Sequence, residues 1–312
     1  MDRHREVRAI ARTDLELTRL GLGTAPIGGL YTDVPEEEAF DVINCALANG
    51  IRYFDTAPAY GLGLAEYRLG KGLGATRAKL LTISSKVGRL IVKDSSGVAI
   101  DATFDYTPQG IRRSMEESLT RMGLPRIDIA FIHDPDDYAD EAIHSAYPEL
   151  ARMQSAGMIT AVGVGMNQCA IPTRFINETD INVVLIAGRY TLLDQSAALE
   201  LFPAALKRDV SIVIGGVYNS GILANPVPGA RYNYLSAPEY LIERAIEIRE
   251  FLKRWNVPLT AAAIQFPLRH PAVTSILTGA RSVAELEANI RDFNCEIPED
   301  CWQELEERYF LP

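Results

Sequence analysis

Cysteine and histidine are scarce in this chain, long apolar runs are missing, and there is no excess of basic charge. The four cysteines, Cys45, Cys169, Cys295 and Cys301, are scattered without a C-x-x-C spacing. That favours reduced, mostly packed thiols over disulfides or a thiolate zinc site. The four histidines, His4, His133, His144 and His270, do not pair at a metal-ligand spacing, so no metal is expected. No apolar stretch approaches the ~20 residues that span a bilayer. The opening MDRHREVRAIARTD lacks the apolar centre of a signal peptide, and a cytoplasmic location is expected. A net charge of -10 argues against nucleic acid or an anionic membrane as the main partner.

What is present is ordinary globular material. Of 312 residues, 47% are hydrophobic and 23% charged, enough for a sizeable core. No linker, low-complexity tract or shift of composition divides the chain, so a single domain over 1–312 is expected. Short apolar stretches recur at 17–23, 51–55, 79–85, 127–133, 159–165, 181–187, 210–216 and 272–279. Segments of helical period separate them. In PEEEAFDVINCALANG, Phe40, Ile43 and Leu47 share a face, acids fill the first turn and Gly50 is the stop. In TPQGIRRSMEESLTRMG, Thr107 is the expected N-cap, Pro108 takes the first helical position, and Ile111, Met115, Leu119 and Met122 form the buried stripe.

Near-continuous apolar strands imply burial on both faces and hence a parallel sheet. Eight strand–helix units in ~250 residues fit a closed (β/α)₈ TIM barrel. A doubly wound open sheet is the rival, but polar and small residues gather at too many strand ends for it. Residues 1–16 form an N-terminal extension, and PEDCWQELEERYF at 298–310 reads as a closing helix. Two glycine-rich stretches are decoys: GLGTAPIGG misplaces the third dinucleotide glycine, and GKGLG at 70–74 is not a P-loop.

Four polar residues stand where a barrel places chemistry. Asp55 ends the second strand and Tyr60 lies in the loop beyond it, Lys86 follows the third strand, and His133 ends the fourth. Neighbouring strand ends converge on one patch of the C-terminal face. A tyrosine hydroxyl of pKa ~10 exchanges protons poorly near neutrality. A neighbouring ammonium lowers that pKa, and a carboxylate keeps the ammonium charged under partial burial. A histidine across the pocket can donate to a carbonyl oxygen and orient it. Together they form a proton-transfer device for alcohol–carbonyl interconversion. Side chains do not carry hydride, so a nicotinamide cofactor is implied. Taken singly, each has an ordinary reading: Asp55 as a turn cap, Tyr60 as packing, Lys86 as a solvated charge, His133 as an interior histidine. Joint occurrence at three successive strand ends favours function. The adjoining HDPDD reads as a solvated loop and not a metal site.

With these residues in place, the chain resembles the aldo-keto reductases. GLGTAPIGG is similar to that family's first strand and turn, and FDTAPAYGLGLAEYRLGKGL to its Asp-x-x-x-x-Tyr-Gly signature, with Glu66, Leu69 and Gly70 following. SSKVG and FIHDPD resemble its lysine and histidine segments. The resemblance covers about residues 17 to 295. It implies a barrel that binds NAD(P) in extended form, with Tyr60 as general acid/base, Lys86 and Asp55 as its tuning pair, and His133 orienting the substrate oxygen. For the cofactor it implies Gly23 and Thr24 on the first strand, Asn167 for the carboxamide, Asn219, Ser220, Gly221 and Leu223 for the pyrophosphate, and Gly279, Arg281, Glu285 and Asn289 for the adenosine. The stacking aromatic common in the family falls on Gly215 or Gly216, and the strand-six glutamine is not evident.

Glu285 stands where many NADP-using members carry arginine, and a carboxylate repels a 2′-phosphate. NAD is therefore expected over NADP, with Arg281 near enough to rescue phosphate binding in part. Within the family, LYTDVPEEEA, AGRYTLLDQ and YNSGILA most resemble the branch that oxidises D-threo-aldoses such as L-fucose and L-galactose at the anomeric hydroxyl to a lactone. A pyridoxal-oxidising dehydrogenase or a general aldehyde/ketone reductase is the alternative. A non-catalytic nicotinamide-binding regulatory barrel is the alternative of another class. The partner is expected to be a small molecule, sugar or aldehyde, and the oligomeric state is open. Pocket walls are expected in 26–32, 88–106, 134–140 and 217–240, with Tyr106, Tyr138, Tyr232 and Tyr234 among them.

Overall fold

A computed structural model describes residues 2–309. Eight parallel strands close into a barrel: β1 Leu20–Gly23, β2 Tyr53–Asp55, β3 Thr82–Val87, β4 Ile129–His133, β5 Ala161–Met166, β6 Val183–Ala187, β7 Ser211–Gly215 and β8 Val273–Thr278. Six fall inside their apolar stretches, and β3 and β5 run past the ends of 79–85 and 159–165 by two residues and one. Registers run Gly23↔Asp55, Asp55↔Ser84, Lys86↔Phe131 and His133↔Gly165, so the polar strand ends meet at one rim.

Ten helices cover the barrel among the described residues: α1 Glu36–Ala48, α2 Leu64–Ala78, α3 Pro108–Met122, α4 Tyr147–Ser155, α5 Ala170–Glu178, α6 Leu201–Arg208, α7 Glu239–Lys253, α8 Leu259–Gln265, α9 Val283–Asn294 and α10 Glu299–Tyr309, short one-turn segments aside. The closing helix is α10; Phe310, the end of the expected segment, lies outside the described residues. Thr107 caps α3 by accepting from the Gly110 amide at 3.1 Å. That supplies a partner for one of the four amides a helix start leaves orphaned. The α1 face is narrower than its large residues suggested. Ala39, Val42, Ile43 and Ala46 are buried, while Phe40 and Leu47 are only half-buried at its margins. Close packing on α2, where Gly72 meets Ile43, leaves room for alanine at the centre.

Two cores result. Strand–helix packing forms the outer one, and a smaller cluster fills the barrel itself with Tyr53, Phe131, Leu185, Val213 and Leu277. Burying such side chains is worth ~1.5–3 kcal/mol each. The N-terminal extension is not an appendage. Val7–Ala9 pairs antiparallel with Glu16–Thr18, and Ile10 and Leu17 plug the lower end of the barrel interior. The first apolar stretch is therefore shared between this hairpin and β1. After β3 a second hairpin, Arg89–Lys93 with Ala99–Phe104, replaces the expected loop. No helix among the described residues is long and apolar enough to cross a membrane. The four cysteines are unbonded.

Candidate active site

The rim of β2, β3 and β4 gathers the four expected residues. Asp55 accepts from Lys86 Nζ through Oδ2 at 2.7 Å and from Ser84 Oγ through Oδ1 at 2.6 Å. Ser84 and Lys86 are two apart on β3, so the strand period points both side chains inward. With the Ser84 proton committed to Asp55, Tyr53 Oη, 3.2 Å from Ser84 Oγ, donates to it from below. A second Lys86 hydrogen goes to the Thr56 carbonyl at 2.8 Å. The ammonium lies 4.6 Å from the centroid of the Tyr60 ring, with one donor still to give. Tyr60 sits in a tight turn, its amide bonded to the Ala57 carbonyl at 3.1 Å. Its ring meets that of His133 edge-on at 6.1 Å.

Burial governs the electrostatics. It is the largest influence on the Tyr60 phenol and pushes its pKa above the ordinary tyrosine value, while Lys86 pulls it down and Asp55 pushes it up. Lys86 offsets part of the burial effect, with two of its hydrogens held by Asp55 and the Thr56 carbonyl and the third free for the phenol. For Lys86 itself, burial lowers the pKa, but Asp55 and Tyr60 outweigh it and hold the ammonium above its ordinary value. His133 is held well below the ordinary imidazole pKa by burial, with Lys86 and Arg89 adding to the effect, so it is neutral at pH 7. Tyr106 donates to its carbonyl at 2.6 Å, its Nδ1 is buried without a partner, and its Nε2 lies 3.4 Å from Asp134 Oδ2.

Two cavities open beside Tyr60 and share it with Asn167, Leu185, Ala187 and Tyr234. The first, about 210 Å³, is bounded by glycine backbone at Gly23, Gly215, Gly216 and Gly279, with Asn219 and Ser220 on one side and Pro26, Leu30 and Tyr31 on another. The second, about 290 Å³, lies towards Lys86, His133, Arg89 and Asp134. Larger clefts lie elsewhere: between Arg8, Arg19 and His270, beside Trp302, and along the hairpin after β3 next to Arg113 and Glu117.

Of the residues expected at the cofactor, Gly23, Asn167, Asn219, Ser220 and Gly279 line the first cavity. Thr24 is buried just beyond β1 with an unpartnered hydroxyl, and Asn219 Oδ1 is likewise buried and unpartnered. Buried orphan acceptors beside bare backbone fit a polar, extended ligand such as a dinucleotide. Asn219, Ser220 and Gly221 form a turn with positive φ throughout. Leu223 is wholly buried in the core. Asn289 accepts from Tyr218 Oη at 2.9 Å and donates to the Gly279 carbonyl at 3.3 Å, so it braces the loop after β8. Arg281 and Glu285 hold each other: the carboxylate takes the Arg281 amide at 2.8 Å and Nη2 at 2.6 Å.

Expected pocket walls are only partly where they were placed. Among the four tyrosines, Tyr234 lines the cavities. Tyr106 is buried behind His133, Tyr138 stacks on Phe104 and Tyr106 in an exposed position, and Tyr232 bonds Asp194 at 3.1 Å. HDPDD is not wholly solvated. Asp136 and Asp137 are exposed, but Asp134 turns into the second cavity and pairs with Arg89 at 3.1 Å. Ser84 escaped sequence reasoning; Arg89 and Asp134 lie in the expected wall segments 88–106 and 134–140 but were not singled out. For Ser84 a signal existed, two residues before Lys86 on the same strand face.

A (β/α)₈ barrel with a buried carboxylate–ammonium pair against a phenol at its C-terminal rim defines an enzyme of the TIM-barrel class. Comparison with known proteins narrows this. The profile of the aldo/keto reductase family matches residues 19–309. The chain is 39% identical to D-threo-aldose 1-dehydrogenase of a Pseudomonas species over 97% of its own length and 98% of the relative's. It is 38% identical to pyridoxal 4-dehydrogenase of Microbacterium luteolum, covering 96% of each chain. A holo-form aldo-keto reductase from Bacillus halodurans superposes with a TM-score of 0.80 at 24% identity, covering 97% of this chain and 95% of that one, a likeness of fold. The chain belongs to the aldo/keto reductase family. It is an NAD(P)-dependent oxidoreductase of small molecules.

Proposed function

We propose that the protein oxidises the anomeric hydroxyl of a sugar of the L-fucose, L-galactose or D-threo-aldose type to a lactone, with NAD as the preferred acceptor. The observation that carries this reading is the Asp55–Lys86 pair at 2.7 Å, its ammonium against the Tyr60 ring at the wall shared by both cavities. Gly23, Asn167, Asn219, Ser220 and Gly279 would hold the cofactor in the first cavity, and the sugar would occupy the second. A bound oxidised nicotinamide would supply the hydride acceptor.

Tyr60 takes the hydroxyl proton, and Lys86 stabilises the phenolate that does so. Asp55 and the Thr56 carbonyl fix two of the three ammonium hydrogens, which leaves the third for the phenol oxygen. His133, neutral by burial, donates from its protonated ring nitrogen to the substrate oxygen and sets its distance from Tyr60. In the reverse direction the same phenol, protonated at neutral pH, is the acid. The 39% relative named for a D-threo-aldose and the polar wall of the second cavity support the sugar reading.

Pyridoxal is the second reading, favoured by the 38% relative and the apolar side formed by Leu185, Ala187 and Met166. A spectrophotometric screen of L-fucose, L-galactose, D-arabinose and pyridoxal with NAD and NADP tests both. NADH formation with one or more sugars at higher kcat/KM than with pyridoxal is the expected result. Preference for pyridoxal overturns the first reading.

A further inference from the structure

The second cavity carries an ion pair beside the acid–base machinery, with Asp134 Oδ2 3.4 Å from His133 Nε2. Arg89 opens the hairpin after β3, and its Nη1 donates to Asp134 Oδ2 at 3.1 Å. The guanidinium carbon lies 5.2 Å from the centroid of Phe104, which stacks on Tyr106 behind His133. Asp134 follows His133 directly and has φ +45°, a region that non-glycine residues occupy at a cost. Its amide is pinned to the Gly165 carbonyl on β5 at 3.0 Å. Both side chains are about 70% covered, at 28% and 31% exposure, yet both face the cavity. Loops at a strand end need no left-handed aspartate, and a surface tie needs no enclosure beside the imidazole.

The chemistry of the pair is specific. Arginine presents five donors in a fixed fork, of which one is spent on Asp134, and a carboxylate accepts several hydrogen bonds. A simple aldehyde has only its reacting oxygen, held by His133 in this reading, and no donor for the carboxylate. Adjacent hydroxyls of a pyranose offer an acceptor to one and a donor to the other. Sites built to bond a hydroxyl discriminate strongly against the analogue that lacks it.

We propose that the Arg89–Asp134 pair is the hydroxyl-recognition element of the substrate cavity, engaging neighbouring hydroxyls of a polyhydroxylated ring whose reacting oxygen rests against His133. This rests on the reading of the second cavity as the sugar site. Asp134 and Arg89 are specificity residues and leave the proton transfer to Tyr60.

The test compares the sugar oxidised best with its monodeoxy analogues, in the wild type and in Asp134→Ala, Asp134→Asn, Arg89→Ala and Arg89→Lys. Loss of a charge-assisted hydrogen bond should raise KM for the parent sugar roughly ten- to a hundredfold with a smaller change in kcat. The wild type should discriminate against at least one deoxy sugar, and the alanine variants should not. Cofactor affinity, read by quenching of protein fluorescence, should stay unchanged. Persistent discrimination in the variants, or a fall in kcat at unchanged KM, overturns the inference while leaving sugar oxidation standing. If the alanine variants fail to fold, the asparagine and lysine variants give the same comparison. Failure of the wild type to oxidise any sugar overturns both readings.

Discussion

Lys86 Nζ and Asp55 Oδ2 lie 2.7 Å apart, both nearly sealed from solvent, with the Tyr60 ring 4.6 Å from the same nitrogen. Buried charges tolerate such enclosure only when paired, and removal of one partner costs ~3–5 kcal/mol. Lys86→Met should therefore lower the melting temperature and also reduce kcat ~10²-fold or more. Asp55→Asn should do both more mildly, because Ser84 and the Thr56 carbonyl remain. Calorimetry and steady-state kinetics on the same preparations check this; wild-type kcat in Lys86→Met would remove the lysine from the mechanism.

Tyr60→Phe removes the hydroxyl and keeps the ring against Lys86 and His133. Nicotinamide affinity, measured by fluorescence titration, should be retained while kcat falls ~10²-fold or more. A variant that still turns over near the wild-type rate would assign the proton transfer elsewhere.

The pH dependence follows from the raised phenol pKa. At neutral pH the phenolate, the base needed for oxidation, is a small fraction. It grows about tenfold per pH unit as long as the pH stays below that pKa, so kcat/KM for oxidation should climb from pH 7 towards 9.5 without a plateau. Reduction uses the protonated phenol, already dominant, and should not rise over the same range. Stopped-flow or steady-state profiles in both directions decide it, and an oxidation plateau near pH 7 would mean that the cation prevails over burial.

At the loop after β8, Glu285 occupies both the amide and the guanidinium of Arg281. A 2′-phosphate would have to displace a carboxylate and then sit beside it. Glu285→Ala frees the arginine and removes the repulsion. The ratio of kcat/KM for NADP to that for NAD should rise at least about tenfold, the yield of ~1.4 kcal/mol of relieved repulsion. An unchanged ratio would show that this pair does not face the cofactor.

Gly70 on α2 lies against the last turn of α3, where an added Cβ would clash with the backbone carbonyl of Met122. Backbone cannot rotate aside as a side chain can. Gly70→Ala should cost about 2–4 kcal/mol in urea or thermal unfolding, as overpacking against a rigid wall does. At Gly74 in the same helix segment a Cβ meets nothing, but its φ of +65° strains any other residue.

Strand positions were legible because burial on both faces leaves an apolar signature that needs no tertiary knowledge. Asp55, Tyr60, Lys86 and His133 were legible because such residue types are unusual at the ends of buried strands. Arg89 and Asp134 fell within segments expected to wall the pocket, but their pairing was not legible, since an arginine after a glycine and an aspartate in HDPDD look like solvated loop. Only the positive φ at Asp134 and the hairpin after β3 turn them towards one another. Tyr106 looked like a pocket wall, and its hydroxyl instead supports His133 from behind.

The chain by itself determined the eightfold alternation, the identity of the four rim residues and the absence of a dinucleotide fingerprint, because periodicity and residue type are local properties. Tertiary structure decided the charges set around Tyr60, the partner of Arg281 and the polar wall of the second cavity. Each of these depends on how much solvent is excluded and which charges are left face to face, and those are sums over residues far apart in sequence.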